Sequence, residues 1–409
     1  MNILVITQIF PQPDDVGDNQ PTKTVQYFAR DWARDGHKVV VIHCPSKFPL
    51  IFYCVPRFIQ EIAAGRVSTM LPTVSSRRKL FRKEEGFKVV RMPMNKLYPG
   101  RAFSPKAMKK YSEQICTLLD KKGFVPDIVL GHFANPGLEL TVQVARHYQA
   151  ASSIVFHHDC LESTIDKYRI RELIENVGAV GARSIVEAKD MQKILDLERQ
   201  PFVCFSGVPD DAVKACDKTV TKHVFDAGVN YLTVGSLLKR KHMESVIKAF
   251  AEINNGSIKR NLEIIGGGSE EEKLKELSFA LQQNDSIQFE REMPRELILD
   301  RMKKAQIFTL ISSGEAFGMV YLEAMLQGCI TIASFGGGFD GIIKNGENGF
   351  LCRAGDHEML AGIYKKIESM SSEERNRIGQ AAVETAIQFS ETNVARKYLS
   401  DVRKINHMK

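Results

Sequence analysis

The chain has 409 residues, which is too long for one ordinary hydrophobic core and predicts two domains of about 200 residues each. Its composition, with 44% hydrophobic and 26% charged residues, is typical of a soluble globular protein, and no run of about eighteen apolar residues predicts a membrane-spanning helix. The net charge is +7, but no recognisable nucleic-acid-binding motif accompanies it, so nucleic acid is not a predicted partner.

Two features of the sequence bear on the cellular compartment. The start, MNILVITQIFPQP, lacks a basic leader and its apolar run is broken, so it is predicted to be a buried strand and not a signal peptide. The eight cysteines are scattered without a C-x-x-C pair, which predicts neither a zinc knuckle nor a disulfide framework. The predicted localisation is cytoplasmic, with peripheral contact to the inner face of the membrane if the basic segment described below meets lipid.

The first half of the chain alternates short β-branched runs with helical segments. A strand over Asn2–Thr7 precedes a loop that carries Gly17, and a helix follows from about Thr22 to Asp35. Further strands are predicted in GHKVVVIH, PDIVLGH, SSIVFHHD and PFVCFSG. This alternation predicts a parallel sheet covered by helices on both faces, with the loops after its strands along one edge.

The segment from Lys47 to Lys110 is strongly basic. It has fifteen lysines and arginines against three acidic residues, a net charge of +12, and aromatic residues such as Phe52 and Phe81 lie among the charges. This composition predicts contact with an anionic membrane surface or an anionic acceptor, or else a solvated basic loop. The sequence is equally compatible with an anionic binding partner and with a solvated loop.

A second alternating pattern begins near Ser206. Its strand-loop-helix units are NYLTVGSLLKRKHMESVIKAFAEI, NLEIIGGGSEEEKLKEL, AQIFTLISSGEAFGMVYLEAMLQG and CITIASFGGGFDGIIKNGENGF. The restart favours two sheets over one large sheet. Ser390 is the predicted N-cap of a final amphipathic helix. The predicted domains are 1–205 and 206–387, followed by a closing helix at 388–409.

The glycine loops of this half differ in charge. Gly266 and Gly268 come nearest to the dinucleotide fingerprint, but Glu271 stands in place of its third glycine, and acidic residues there repel phosphate. We interpret this loop as structural, which argues against a nicotinamide-dependent dehydrogenase. No G-x-x-x-x-G-K-[ST] motif occurs either, so a P-loop nucleotidase is not predicted.

The loop SGEAFGMV has no acidic residue in the first turn of the helix predicted to begin near Phe317. Gly314 and Gly318 bracket its turn, and the free N–H groups at Gly318 and Met319 suit a diphosphate. Lys241 follows another predicted strand. It is either the counter-charge for such a diphosphate or an exposed lysine at the start of a helix.

Glu323 has an unexpected position on the predicted helix. On a helical wheel it lies inside the apolar arc formed by Met319, Val320, Leu322, Met325 and Leu326. A carboxylate there is unfavourable unless a polar group meets it. The wheel leaves two interpretations open, a surface helix whose arc is drawn too broadly and a carboxylate with a polar partner.

The spacing of Glu315 and Glu323 matches the E-x(7)-E element of retaining nucleotide-sugar glycosyltransferases, and EAFGMVYLEAMLQGCITIAS resembles family four of that class. Other segments resemble the family in the same order, namely ILVITQIFPQP, DGHKVVVI, FSGVPDD, VGSLLKRKHMESVIKAF, IIGGGSEEEKLKEL, GGGFDGIIKNGENGFL and FSETNVARKYL. The resemblance implies a GT-B fold, in which two Rossmann-like, doubly wound parallel-sheet domains face each other across a cleft. The second domain would bind the donor and the first the acceptor, and the final helix would cross back to the first.

The resemblance also implies roles for individual residues. Glu315 would contact the donor sugar near the reacting centre, Glu323 would bind the ribose hydroxyls, and Lys241 would neutralise the diphosphate leaving group. The backbone N–H groups that hold the sugar and the diphosphate would be those of Phe317, Gly318 and Met319. His157, which we prefer to the adjacent His158, would touch the donor sugar as a second catalytic residue.

The implied reaction is retaining transfer of a sugar from a nucleotide-diphosphate donor to a hydroxyl of a glycan or lipid-linked acceptor. Positive charge at the leaving oxygens favours it, since the bond breaks toward an oxocarbenium ion. The family usually explains retention by front-face attack, with the departing phosphate taking the acceptor's proton. The donor is a substrate, and neither a cofactor nor a metal is implied. The sequence has no D-x-D element, which agrees with a metal-independent GT-B enzyme.

Three positions depart from the family's pattern. Ser236 stands where an arginine is common after VG, so half of the cationic clamp is missing or is supplied by Lys239 or Arg240. His242 stands where a glycine is usual, and Gly17 is alone where a glycine pair is common, which leaves its contact with donor phosphate or acceptor open. The alternative function is a non-catalytic sugar-nucleotide or glycan-binding subunit of the same fold, and a phosphorylase is a third.

Overall fold

The computed structural model describes residues 1–11, 22–54, 77–157, 159–221, 223–225, 228–254, 256 and 258–408. The chain divides into two compact units. The first consists of Met1–Arg183, Ala188–Cys204 and Val394–Lys409, and the second of Ser184–Glu187 and Phe205–Asn393. The predicted residues Gly17 and His158, and the part of the basic segment at 55–76, lie outside the described residues.

The first unit is built on an eight-stranded sheet. The strands are β1 (Asn2–Thr7), β2 (Lys38–His43), β3 (Ser46–Lys47), β4 (Leu80–Lys83), β5 (Lys88–Arg91), β6 (Met94–Asn95), β7 (Ile128–His132), β8 (Ala151–Val155), β9 (Ala179–Ala182) and β10 (Phe202–Val203). The sheet order is β10-β9-β8-β7-β1-β2-β5-β4, with β4 antiparallel to β5, while β3 and β6 form a separate parallel pair. The central strands are buried, which explains why they are continuous apolar runs.

The helices of this half, together with the last helix of the chain, are Thr24–Arg34, Leu50–Cys54, Pro105–Lys121, Glu139–Tyr148, Glu162–Ile165, Ile170–Ile174, Ile185–Leu195 and Glu391–Ile405. The N–H of Asn393 donates to the hydroxyl of Ser390 at 3.2 Å, so the predicted N-cap is confirmed. From Val394 onward the last helix packs in the first unit. There the indole N–H of Trp32 donates to the carbonyl of Ala395 at 2.8 Å.

The second unit contains a six-stranded sheet. Its strands are β11 (Val229–Val234), β12 (Arg260–Ile265), β13 (Ile287–Glu290), β14 (Ile307–Leu310), β15 (Ile330–Ser334) and β16 (Phe350–Cys352). Its helices are Asp210–Ala215, Met243–Ile253, Glu271–Ala280, Arg295–Lys304, Met319–Leu326, His357–Ser369 and Ser372–Gln388. The order β13-β12-β11-β14-β15-β16, with every pair parallel, is that of a doubly wound Rossmann sheet.

The strand order of each sheet determines which loops meet. Each sheet begins at a central strand, grows to one side, and then continues on the other side of that strand. At this reversal the following loops turn to opposite faces and leave a crevice at the carboxyl ends of the strands, where doubly wound folds bind ligands. The loops concerned follow β1 and β7 in the first unit and β11 and β14 in the second. No helix in the described part of the chain is both long and apolar enough to cross a membrane.

A buried ionic cluster around Glu368 links the helix His357–Ser369 to β11 and β12. Its carboxylate accepts two hydrogen bonds from Arg260, at 2.7 and 2.8 Å, and one from the hydroxyl of Tyr231 at 2.6 Å. We expect Glu368→Ala to lower the free energy of unfolding by about 3–5 kcal/mol, because the guanidinium would stay buried without its anion. Chemical denaturation measures the change. Glu252→Ala, which removes an exposed pair with Lys365, should change it by less than about 1 kcal/mol. Equal losses in the two variants would contradict the role given to the cluster.

Candidate functional site

Lys241 lies in the loop that follows β11. A 3-10 turn covers Lys239–Lys241. His242 follows it with a left-handed backbone, φ 52°, which separates the turn from the helix Met243–Ile253. The Lys241 residue is only 7% exposed. A buried ammonium group needs an anionic partner. The interpretation of Lys241 as an exposed lysine is therefore wrong.

That partner is Glu315, in the loop after β14. Lys241 Nζ donates a hydrogen bond to Glu315 Oε2, and the hydroxyl of Ser312 donates to the same oxygen at 3.2 Å. The two charged residues are 74 positions apart in the chain. They meet because β11 and β14 are adjacent at the reversal of strand order. The result is a lysine and a carboxylate fixed side by side at the carboxyl edge of the sheet.

Two of the departures from the family's pattern have a structural counterpart here. A guanidinium nitrogen of Arg240 lies 3.8 Å from the Glu315 carboxylate, so one of the two predicted substitutes supplies a second cation beside it. His242 has the left-handed backbone that favours the usual glycine. Its ring nitrogen Nε2 lies 2.7 Å from the hydroxyl of Ser313, a contact that glycine cannot make.

The helix after Glu315 begins at Met319, two residues later than predicted. Gly318 is its N-cap and has φ of 84°, and a Cβ at this position would overlap the ring of Tyr321, so glycine is required. The first N–H groups of the helix have no acceptor within it, and the helix dipole adds partial positive charge there. Phe317 is buried in the core, so only its backbone is available to a ligand.

The loop of Gly266 and Gly268 has a packing role. A Cβ on Gly266 would overlap the carbonyl oxygen of Gly235, and one on Gly268 would overlap that of Leu237. The N–H of Leu237 donates to the carbonyl of Gly267 at 2.8 Å. These glycines allow the loops after β11 and β12 to pack backbone against backbone. The predicted structural interpretation is confirmed.

Arg295 meets the carboxylate of Glu323. Its Nε donates to Oε1 at 2.7 Å, and the Glu323 side chain is 13% exposed against 41% for Arg295. The apolar residues of the predicted arc are buried or partly buried. The interpretation in which a polar partner meets the carboxylate is therefore confirmed. No local sequence pattern predicts this partner, which lies 28 positions away at the start of another helix.

His157 follows β8 in the first unit and lies in a second cluster. Its Nε2 is 3.0 Å from Nδ1 of His132, the last residue of β7. The ring of Phe133 stacks on the His157 ring with centroids 4.0 Å apart. The backbone N–H of His157 donates to the carboxylate of Asp159 at 2.8 Å. Burial lowers the pKa of His157 well below its ordinary value, and the charge of Arg183 acts in the same direction. His157 is therefore neutral at pH 7.

Phe133 has an unusual backbone for a bulky residue. Its φ of 69° and ψ of 143° lie outside the regions that L side chains favour, at a cost of about 1–3 kcal/mol. Its N–H donates to the carbonyl of Val155 at 3.0 Å, which extends the sheet one residue beyond β7. Such strain persists where the surroundings fix it, and it clusters at functional sites. No sequence pattern predicted the roles of Phe133 or His132.

The described site residues therefore form two groups, one in each unit. The group of the second unit comprises Lys241, Glu315, Phe317, Gly318, Met319 and Glu323, and that of the first contains His157. Within the described ranges, no three or more His, Cys, Asp or Glu side chains are grouped to hold a metal ion. None of the eight cysteines forms a disulfide bond.

Comparison with known proteins gives matches in sequence and in structure. Residues 222–385 match the family model of the glycosyl transferases group 1. The N-acetyl-alpha-D-glucosaminyl L-malate synthase of Bacillus anthracis is 28% identical over 167 residues, which cover 40% of this chain and 42% of that enzyme. The chain thus matches about two-fifths of the length of such curated relatives.

Solved structures match over nearly the whole chain. A glycosyltransferase from Rickettsia africae superposes with a TM-score of 0.66 at 17% identity, covering 99% of this chain and 98% of that one. Anabaena HepE, crystallised with UDP-glucose, gives a TM-score of 0.63 at 13% identity, covering 98% and 99%. At sequence identities this low, the structural similarity shows the fold alone. The predicted architecture of two Rossmann-like domains is confirmed.

Proposed function

We propose that this chain, whose residues 222–385 match the family model of the glycosyl transferases group 1, moves a sugar from a nucleotide-diphosphate donor to a hydroxyl of a glycan or lipid-linked acceptor. The observation that carries the proposal is the ion pair between buried Lys241 and Glu315 at the strand-order reversal of the second sheet. The lysine and the nearby helix start suit a diphosphate. The carboxylate suits a sugar carbon that becomes positively charged.

In the proposed reaction the bond between the anomeric carbon and the diphosphate oxygen breaks, and its electron pair leaves with the nucleoside diphosphate. The acceptor oxygen bonds to the same face of that carbon, and its proton passes to the departing phosphate, so configuration is retained. Lys241 stabilises the leaving negative charge and Glu315 the positive charge on the sugar. Lys241 must therefore exchange the Glu315 carboxylate for diphosphate oxygens when the donor binds.

We propose that the reaction needs no metal ion, because Lys241 and Arg240 provide positive charge beside the Glu315 carboxylate. We expect EDTA to leave the rate of transfer unchanged. A rate that falls with EDTA and returns with a divalent cation would contradict metal independence.

A panel of sugar nucleotides tests the proposed function. UDP-glucose is the first choice, since Anabaena HepE has been crystallised with it. A bound donor at 100 times its Kd stabilises the fold by about 2.7 kcal/mol, which raises Tm. We expect one donor to raise Tm and to release its nucleotide slowly through hydrolysis. Binding without any release of nucleotide would indicate a non-catalytic subunit, and sugar phosphate formed from glycan and phosphate would indicate a phosphorylase.

For Glu323 we propose contact with the ribose hydroxyls of the donor. Glu323→Ala should weaken donor binding roughly tenfold to a hundredfold and change kcat much less, because hydrogen bonds to a charged group are lost. Isothermal titration calorimetry measures the affinity. As a matched variant, Arg295→Leu removes the other half of the ion pair and frees the carboxylate, so donor affinity should be kept or increased. Unchanged affinity in Glu323→Ala would show that the ribose assignment is wrong.

We also propose that the described part of the basic segment rests on an anionic membrane surface. Leu50, Ile51 and Phe81 are 67%, 74% and 60% exposed, and these apolar side chains lie in the segment that carries the basic residues. Exposed apolar side chains combined with positive charge suit the interface of an anionic bilayer. The protein should float with vesicles containing anionic lipid at low salt and be released at high salt. Failure to float at low salt would remove this proposal.

A further inference from the structure

The contact between His132 and His157 carries one further inference. We infer that His132 is a positioning residue that holds His157 with its proton on Nδ1, so that His157 donates a hydrogen bond to an oxygen of the donor sugar. The sugar contact rests on the proposed function, whereas the position of the proton does not.

The two rings share one hydrogen bond between His132 Nδ1 and His157 Nε2, which are 3.0 Å apart. A neutral imidazole has one N–H and one bare nitrogen, so one ring donates and the other accepts. Both rings are neutral at pH 7. Burial and the charge of Arg183 lower the pKa of His132 to about 3, and the pKa of His157 is lowered for the same reasons.

The surroundings of His132 decide which ring donates. The residue is fully buried, and its Nε2 has no hydrogen-bond partner among the described residues. The rings of Phe28 and Tyr398 lie beside it, at centroid distances of 6.2 and 5.7 Å. If His157 donated, His132 would carry its proton on Nε2 as a buried N–H without an acceptor, which folded proteins rarely tolerate.

The opposite arrangement avoids the orphaned donor. With the proton of His132 on Nδ1, the group left without a partner is only a bare nitrogen. His157 then accepts at Nε2, and its own proton must be on Nδ1, since the hydrogen bond at one ring nitrogen sets the protonation of the other. No hydrogen bond to this Nδ1 is found among the described residues, and the His157 residue is partly exposed, so Nδ1 is available to a ligand.

The ring of His157 is also fixed in orientation. Phe133 covers one face, with the planes inclined by only 22°, and Asp159 holds the backbone N–H of His157. The Nδ1–H group is therefore a donor with one direction before any ligand arrives. Fixed donors of this kind lose little entropy on binding and prefer an acceptor oxygen, such as a sugar hydroxyl, over a cation.

Nuclear magnetic resonance tests the position of the proton without requiring activity. In the full-length, ligand-free protein labelled with ¹⁵N-histidine, two-bond ¹H–¹⁵N correlations distinguish the two neutral forms, and His157→Gln identifies the His157 signals. We expect a protonated Nδ1 and a bare Nε2 at His157. A proton on Nε2 of His157 in the wild-type protein would overturn the inference, whether or not any variant folds.

Two variants of His132 test its positioning role. His132→Asn keeps an N–H donor near the position of Nδ1, whereas His132→Phe keeps the ring and removes the donor. We expect His132→Phe to lose the Nδ1–H form of His157 and to lower kcat/KM for the donor roughly tenfold, and His132→Asn to restore both to within about threefold. An unchanged His157 form in His132→Phe would overturn the positioning role. A changed form with unchanged kcat/KM would overturn the hydrogen bond to the sugar, and the transferase proposal based on Lys241 and Glu315 would stand.

Discussion

Glu315→Gln is expected to lower kcat roughly a hundredfold or more while the fold stays intact. The carboxylate lies beside Lys241 and Ser312, where the sugar carbon of the proposed donor would develop positive charge. Glutamine has the same shape and can still accept a hydrogen bond from Ser312, but it carries no charge. The change should therefore act on the transition state more than on packing. Single-turnover transfer with the donor found in the panel measures the effect.

Glu315→Gln is expected to affect ligand binding and turnover in opposite directions. Lys241 loses the anion that occupies it in the ligand-free protein, so affinity for the nucleoside diphosphate should be retained or increased. Glu347→Gln is the matched control, because Glu347 is also a glutamate of the second unit but is 72% exposed in its pair with Lys344. That control should keep wild-type kcat. Wild-type turnover in Glu315→Gln would refute the catalytic assignment.

Lys241→Met should weaken binding of the nucleoside diphosphate roughly tenfold to a hundredfold and reduce turnover at least as much. Methionine keeps the length and apolar stem of the side chain in its buried position but cannot neutralise the leaving oxygens. It also leaves Glu315 without its hydrogen-bonded cation, so the anionic ligand meets a carboxylate that only the half-exposed Arg240 still opposes. Both effects act in the same direction. Titration calorimetry with the nucleoside diphosphate separates binding from turnover.

Two neighbouring residues provide graded controls for Lys241. Lys239→Met changes an exposed lysine of the same 3-10 turn and should change affinity by less than about twofold. Arg240→Gln removes the half-exposed cation at 3.8 Å from Glu315 and should give an intermediate loss. If Lys241→Met binds the nucleoside diphosphate as tightly as Lys239→Met, the role proposed for the buried lysine is wrong.

Local sequence patterns predicted the elements that depend on neighbours in the chain. The first strand was predicted over Asn2–Thr7 and has these bounds, because a run of buried apolar residues ending in polar ones is a local signal. The same is true of the Ser390 cap, which acts on an N–H three residues away. The helix after Gly318 began later than predicted because a single left-handed residue decides its start. The local sequence pattern had already placed Gly318 at the turn before this helix.

The resemblance identified the residue types of the second-unit site, but it did not reveal their partners. Arg295 opposite Glu323 and Ser312 beside Glu315 carry no local signal, because each contact is made between separate segments or across a turn. Arg240 was one of two predicted substitutes for the missing arginine, and only the packed loop places it beside Glu315.

The sequence by itself determined the class of fold, the alternation of strands and helices, and which residues stand after the carboxyl ends of strands. Each of these follows from periodicity and turn chemistry over a few neighbouring residues. Only the tertiary structure decided that Lys241 is buried against Glu315 and that His132 meets His157. These pairs depend on which strands become neighbours in a sheet. Strand order is fixed by the packing of the whole core, and no short stretch of sequence contains it.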